Sequence, residues 1–215
     1  MNNSSVKNAL IAGLALAVFG LVASALVGYT FENTKERIAE NEKQALLNGL
    51  HEIIPADRID NDLYNDFITV QAASLGYRGQ LATIYRARQK ETPVAAILNV
   101  VAPDGYSGAI KILVGVNFDG TIAGVRVIDH KETPGLGDYI EADKSDWILS
   151  FNGRSLRDPL PSEWKVKKDG GEFDQVTGAT ITPRAVVTAV RKALEYYDRY
   201  VYQIFAAPSE QRKQA

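Results

Sequence analysis

Cysteine is absent from all 215 residues, and the chain has only two histidines and one methionine. Without thiols there can be no disulfide scaffold, thiolate metal site or cysteine-held iron–sulfur cluster. His51 and His130 form no pair or triad of metal-ligand spacing, so no metal site is expected. An excess of either charge is also missing: 24 Lys and Arg stand against 26 Asp and Glu, a net charge of −2. With no basic stripe, nucleic acid is not an expected partner. No Walker A loop, G-x-S-x-G elbow or dinucleotide fingerprint occurs, and no residue is expected to be catalytic by itself.

The most local absence is charge between Asn8 and Phe31. Residues 9–29 are almost wholly apolar or small, close to the ~20 residues that a helix needs to cross a bilayer core. The mean hydropathy of the whole chain is −0.14, which suits a soluble domain on one anchor. Ala23-Ser24-Ala25 offers the competing reading of a cleaved signal peptide. Signal h-regions cover about 7–15 residues, whereas this run continues through Leu26, Val27 and Tyr29, which favours a retained anchor. Either reading exports the remainder. Lys7 precedes the span and mixed charges follow it, placing the N-terminus in the cytoplasm. Gly13, Ala17, Gly20, Ser24 and Gly28 line one stripe, either for close helix packing or as ordinary anchor composition. No ionisable group lies inside the span, so this chain alone forms no ion path.

The layout read from the sequence is a short cytoplasmic N-terminus (1–8), a transmembrane helix (9–29), a connecting amphipathic helix (30–57), an exported domain (58–205) and a polar tail (206–215) expected to be disordered. Helical periodicity covers 34–54 and Pro55 stops it. Strands are expected near 81–88 and 94–102. Ile110, Ile112, Val114, Val116 and Phe118 alternate as in a half-buried strand. Asp119-Gly120 reads as a two-residue hairpin turn, and the return strand 121–129 slips phase near Ala123-Gly124, where a bulge is expected. Residues 140–151 read as a helix with Trp147, Ile148 and Phe151 inward. Trp164, Val166 and Asp169-Gly170-Gly171 suggest a second hairpin. A helix from Pro183 to about Ile204 places Val186, Val190, Leu194, Tyr197 and Val201 on one face. His51 is expected to be exposed, His130 to make a structural hydrogen bond, and Tyr196, Tyr197, Tyr200 and Tyr202 to serve core and interface.

Two stretches carry chemistry. In His130-Lys131-Glu132-Thr133-Pro134-Gly135-Leu136-Gly137, proline fixes φ while Gly135 and Gly137 permit positive φ and close backbone approach to a ligand. Leu136 can offer an apolar face to a planar ring, and Glu132 and Thr133 polar groups to its edge. Such a loop is otherwise an ordinary turn after a strand. The second stretch is Asp174-Gln175-Val176-Thr177-Gly178-Ala179-Thr180, followed by Thr182-Pro183. Threonine is a favoured N-cap and proline suits the first helical position, so Thr182 is the expected cap and a poor phosphate acceptor. Thr177 and Thr180 are not separated by this argument. Either hydroxyl would stand near a helix N-terminus, which favours phosphate.

The 174–180 stretch resembles the D-x-x-[ST]-G-A-[ST] tag on which a flavin transferase esterifies FMN. Together with Gly105-Tyr106-Ser107-Gly108, the hairpin and E-T-P-G-L-G, it resembles the FMN-binding domain of membrane-bound electron-transport complexes. The resemblance is strongest to the G subunits of the Rnf ion-translocating oxidoreductases and covers the anchor and most of residues 75–200. The C subunit of the sodium-translocating NADH:quinone reductase, usually a longer chain, shares both motifs and remains an alternative. A membrane-anchored structural or ligand-binding module without covalent flavin is the alternative of another class. The resemblance implies an α+β fold, an antiparallel sheet packed against helices, on one N-terminal transmembrane helix. It implies FMN joined through a phosphoester to Thr180, with Tyr106, Glu132, Thr133, Leu136, Gly137, Thr177 and Gly178 at the cofactor. Asp174, Gly178 and Ala179 would be read by the flavin transferase. The implied setting is the bacterial inner membrane, with the domain periplasmic. The implied partners are membrane lipid and the A, B, C, D and E subunits of a complex moving electrons between ferredoxin and NAD.

Overall fold

The computed structural model of the chain describes residues 3–210, with side chains described from Val6 onward. Helix α1 (Asn3–Ile53) contains no proline and ends two residues before Pro55, whose ring disfavours helical backbone at Ile54. The chain divides into two compact units, one through Ala45 and one from Leu46. In the first unit α1 is exposed all round: Leu10 is 70% and Phe19 76% accessible. Within Val6–Ile53 lies an 18-residue window of mean hydropathy 2.6, none of it buried, so this helix is long and apolar enough to cross a membrane.

The second unit is built on a five-stranded antiparallel sheet in the order β1-β2-β3-β4-β5. The strands are β1 (Phe67–Val70), β2 (Ala82–Gln89), β3 (Thr92–Ala102), β4 (Ile110–Asn117) and β5 (Ile122–Asp129). Alternation along β4 sends Ile110, Ile112, Val114 and Val116 to one face, where they pack with residues of α2 (Ile181–Ala206) and of the 138–173 segment. Leu113 points the other way and joins Ala95, Ile97, Tyr85, Leu50, Ile53 and Ile54. The last turns of α1 therefore belong to the core of this unit. They approach the sheet where it has no side chains: a Cβ on Gly115 would lie 2.1 Å from Ile53 Cγ2. The expected bulge is present, with Gly115 opposite Gly124 and Val116 opposite Ile122, leaving Ala123 as the extra residue.

Several expectations need correction. The β4–β5 turn is not a two-residue loop. Gly120 N–H donates to Asn117 O (2.9 Å), Asn117 N–H to Thr121 O (2.8 Å), and Gly120 has φ +90°, the pattern of a type I turn closed by a glycine bulge. Phe118 thus leaves the strand and packs edge-on to Phe205 at 5.7 Å. Residues 140–151 form two 3-10 segments, Asp138–Ile140 and Asp146–Phe151, rather than one helix. The Ser145 hydroxyl accepts from Trp147 N–H and starts the second segment afresh. The second hairpin is absent: Val166 and Phe173 make an isolated parallel bridge around the 3-10 turn Lys167–Asp169. Ser209 and Glu210, at the start of the tail expected to be disordered, make contacts with the domain. Ser209 donates to Asp66 (2.9 Å), and Thr69 N–H donates to Glu210 Oε1 (2.6 Å) at the outer edge of β1. Residues 211–215 lie outside the described residues.

Candidate flavin site

One end of the sheet carries the site. After β5, Pro134-Gly135 makes a turn in which Leu136 N–H and Gly137 N–H donate to Thr133 O at 3.1 and 2.9 Å. Gly135 has φ +75°, as the second central residue of a type II turn requires, and its N–H donates to Asp138 Oδ1 (2.8 Å). Gly137 has φ −98°, so the freedom of positive φ is used at Gly135 and not here. It is glycine because a Cβ there would lie 2.8 Å from Glu132 Cβ and 3.0 Å from Glu132 Oε2.

The 174–180 segment is held from beneath. Trp147 Nε1–H donates to Asp174 O (2.7 Å), and the indole meets Tyr139 edge-on at 5.5 Å. Burial pushes the Tyr139 phenol up to about 12, so this ring stays neutral at ordinary pH. Lys167 pairs with the exposed Asp174 carboxylate (2.7 Å), and Lys168 N–H donates to Gln175 Oε1 (3.1 Å). Arg184 in α2 grips Asp169 through two hydrogen bonds of 2.6 and 2.8 Å; this contact lowers the Asp169 pKa and raises that of Arg184. Ala179 N–H donates to Val176 O (3.0 Å) across Thr177-Gly178, with Gly178 at φ +91°.

Helix α2 begins at Ile181, ahead of the Pro183 start that the sequence indicates. Thr180, not Thr182, is the N-cap residue, and its side chain makes no capping hydrogen bond. Thr182 is a buried residue of the first turn whose hydroxyl donates to Glu132 Oε2. The assignment of Thr182 as the cap is therefore overturned. Its unsuitability as an acceptor stands on a different ground, burial and a hydrogen bond to a carboxylate.

These segments enclose a cleft of about 360 Å³ lined by Tyr106, Glu132, Thr133, Leu136, Gly137, Gly178, Ala179, Thr180, Ile181 and Thr182. Of the residues expected at the cofactor, only Thr177 is outside the lining; it is exposed at the tip of its turn. Tyr106 (69% accessible), Leu136 (51%) and Ile181 (45%) give the lip apolar surface. Glu132 is 5% accessible, and both of its oxygens are engaged within the protein. Behind it, His130 Nδ1 accepts from Glu132 N–H (3.0 Å), so the ring proton sits on Nε2 and faces Glu141 Oε1 (2.9 Å). Ile181 and Thr182 line the cleft, and Ser107 backs it through Glu132; sequence reasoning assigns none of the three to it. The Thr182-Pro183 pair is the available signal, and it reads as a cap. A neighbouring cavity of about 420 Å³, bordered by Arg78, Arg184 and Lys192, shares only Ile181 with this cleft and holds none of the expected residues.

The cleft suits FMN. Its volume falls in the lower part of the ~300–1,000 Å³ range of small-molecule sites. An uncommitted hydroxyl stands at a helix N-terminus, where the first N–H groups lack intrahelical partners and attract phosphate.

Comparison with known proteins bears on the same residues. A family model for the FMN-binding domain matches residues 105–195, and one for the RnfG N-terminal region matches residues 1–53. The G subunit of the ion-translocating oxidoreductase complex of Vibrio atlanticus is 47% identical over 208 residues, covering 97% of each chain. The protein of that name from Pseudoalteromonas atlantica is 46% identical over 202 residues, 94% of each chain. That of Shewanella oneidensis is 43% identical over 213 residues, covering 97% of this chain and 96% of its own. The chain belongs to this G-subunit family. With its FMN-binding domain and spanning-length N-terminal helix, the family member is an electron-transport flavoprotein component of an ion-translocating oxidoreductase complex.

Proposed function

We propose that Thr180 carries FMN as a phosphoester and that the domain passes electrons within a membrane-bound ferredoxin:NAD-type oxidoreductase coupled to ion movement. The observation that carries this reading is convergence. Thr180 and the 132–137 loop, far apart in sequence, border one cleft, and the Thr180 hydroxyl serves no cap. Forming the tether joins Thr180 Oγ1 to phosphorus. Condensing free FMN would require expelling water, so the donor is an activated flavin nucleotide of the phosphoanhydride class. Its P–O–P bond breaks, and the nucleotide leaving group departs with the hydroxyl proton taken up by base.

FMN, when bound, supplies a centre that accepts and releases electrons singly. The chain supplies position and shielding. The N-terminus of α2 would face the phosphoester charge, Leu136 and Tyr106 would offer apolar surface to the ring, and Glu132, Thr133 and Gly137 would form the wall behind it. Asp174, Gly178 and Ala179 form the part of the tag that a flavin transferase reads: an exposed carboxylate followed by a tight turn. The remaining reading is a single-pass protein of the bacterial inner membrane, N-terminus cytoplasmic and domain periplasmic, assembled with the A, B, C, D and E subunits. The test is intact-protein mass spectrometry and in-gel fluorescence after denaturing electrophoresis, on chain co-expressed with a flavin transferase. The expected result is one FMN per chain in the wild type and none in Thr180→Val, with folding retained. Flavin that persists covalently in Thr180→Val would sink the assignment.

A further inference from the structure

Three motifs that are separate in sequence meet at one buried carboxylate. Glu132 Oε1 accepts from Ser107 N–H (2.9 Å) in the 105–108 loop, and Oε2 accepts from the Thr182 hydroxyl in the first turn of α2. A Cβ on Gly105 would stand 2.9 Å from Oε1, and one on Gly137 would stand 3.0 Å from Oε2 and 3.3 Å from Thr182 Oγ1. At Gly105 the nearest atom is Gly108 O at 2.3 Å, so that glycine first serves its own turn, whereas at Gly137 the carboxylate side chain itself is the obstacle; neither position leaves room for a methyl group beside Glu132. Thr182 is 1% accessible and Glu132 5%, so the contact is shielded from water and neither partner can be replaced by solvent without opening the site.

Resting on the covalent reading at Thr180, we propose that Glu132 is a positioning residue that makes Thr180 the single acceptor. It acts through Thr182 and touches no reacting atom. By holding the Thr182 hydroxyl it fixes the start of α2 against both loops, so that Thr180, two residues earlier, borders the cleft in a set backbone geometry (φ −73°, ψ −26°). By the same bond it keeps the neighbouring threonine occupied and buried. Of the three threonines near the helix start, Thr177 lies on an exposed turn, Thr182 is engaged, and only Thr180 combines a position at the cleft with an uncapped hydroxyl.

The experiment is the initial rate of covalent loading of the full-length chain by a flavin transferase supplied with a flavin dinucleotide. Loading is read as fluorescence after denaturing electrophoresis, and the acceptor is located by peptide mass spectrometry. All assays run well below the melting temperature of each variant. Glu132→Ala and Thr182→Val are each expected to slow loading by about tenfold to a hundredfold, the scale on which small misplacement of a reacting group acts. Glu132→Gln should recover most of the rate, since an amide can accept from Ser107 N–H and donate to the Thr182 oxygen. Should Glu132→Ala fail to fold, the near-isosteric Thr182→Val decides. Wild-type rates in the folded variants, or equal loss in Glu132→Gln and Glu132→Ala, would overturn the positioning role. Covalent flavin in Thr180→Val would instead remove the reading on which it rests.

Discussion

The hydroxyl of Thr182 donates to the carboxylate of Glu132 across 50 residues of sequence and ties the first turn of α2 to the loop that follows β5. Removing the hydroxyl with Thr182→Val preserves shape but leaves Glu132 Oε2 buried without that partner. The expected cost is about 1–3 kcal/mol of unfolding free energy, the penalty for stranding a buried polar group. Urea unfolding of the two proteins checks it. A loss of only a few tenths of a kcal/mol would show that water replaces the bond.

Gly135 and Gly137 should respond differently to alanine. At Gly135 a Cβ meets nothing within 4 Å, and only the positive φ of +75° is unfavourable, so Gly135→Ala should cost about 1 kcal/mol. At Gly137 the φ is ordinary, but the methyl would press on Glu132 Cβ and Oε2 and on Thr182 Oγ1. Overpacking against such rigid neighbours should cost about 2–3 kcal/mol. Thermal melting ranks the two. The reverse order would mean that the clamp yields easily.

The contrast between those glycines shows what the sequence could and could not convey. Tyr106, Glu132, Thr133, Leu136, Gly137, Gly178, Ala179 and Thr180 border one cleft, and it was the family resemblance of their motifs, not local composition, that grouped them in advance. β4 and the bulge at Ala123 were legible from alternation and its slip. Roles set by long-range contact were not. Nothing local distinguishes a capping threonine from one that reaches a carboxylate 50 residues away. β1 has only four residues and no periodic signal. The β2–β3 turn uses Lys90 and Glu91 at φ +49° and +63°, where glycine or asparagine would have announced it.

Acid should weaken the far end of the domain. Arg86, 2% accessible, pairs with Asp66 (2.5 Å) and donates to the carbonyls of Ile204 and Ala207; Arg88 also reaches Asp66 (3.0 Å). Burial alone would raise the Asp66 pKa, but Ser209, Arg86 and Arg88 together hold it below the ordinary 3.8. A depressed folded-state pKa means that this stabilisation is fully present above the unfolded value. It is lost as pH falls through the folded one. Melting temperature should therefore drop below about pH 4, and less steeply in Asp66→Asn. That variant should already be destabilised by about 3 kcal/mol at neutral pH, because Arg86 remains buried without its counter-charge.

The end of α1 should prove indispensable to the domain. Leu50, Ile53 and Ile54 are 0–3% accessible, and truncation of a single such side chain costs about 2–5 kcal/mol against a total stability of about 5–15 kcal/mol. A chain starting at residue 46 should melt cooperatively, whereas one starting at residue 58 should aggregate or remain unfolded. Gly115→Ala probes the same contact, with an expected cost of about 1–3 kcal/mol from the clash with Ile53 Cγ2. Circular dichroism melts of the three proteins are sufficient. Cooperative unfolding of the 58-start chain would place the core elsewhere.

Leu136→Ala tests the position of the ring separately from that of the tether. Its side chain is half exposed at the lip of the cleft, in a loop that shares no residue with the 174–180 segment. Truncation to alanine removes apolar surface without touching Glu132, Thr182 or the start of α2, so attachment at Thr180 should be complete. Stability should change by less than about 1 kcal/mol, since an exposed leucine contributes little to folding. If the isoalloxazine lies against this residue, more water reaches it in Leu136→Ala. The absorption bands and the midpoint potential should then both move, because a charged form of the ring is better solvated than before. Redox titration followed by absorbance, on fully loaded wild type and Leu136→Ala, gives both readouts in one experiment. An unchanged spectrum and potential at full flavin occupancy would place the ring away from the 132–137 loop and leave that loop the work of gripping Glu132 alone.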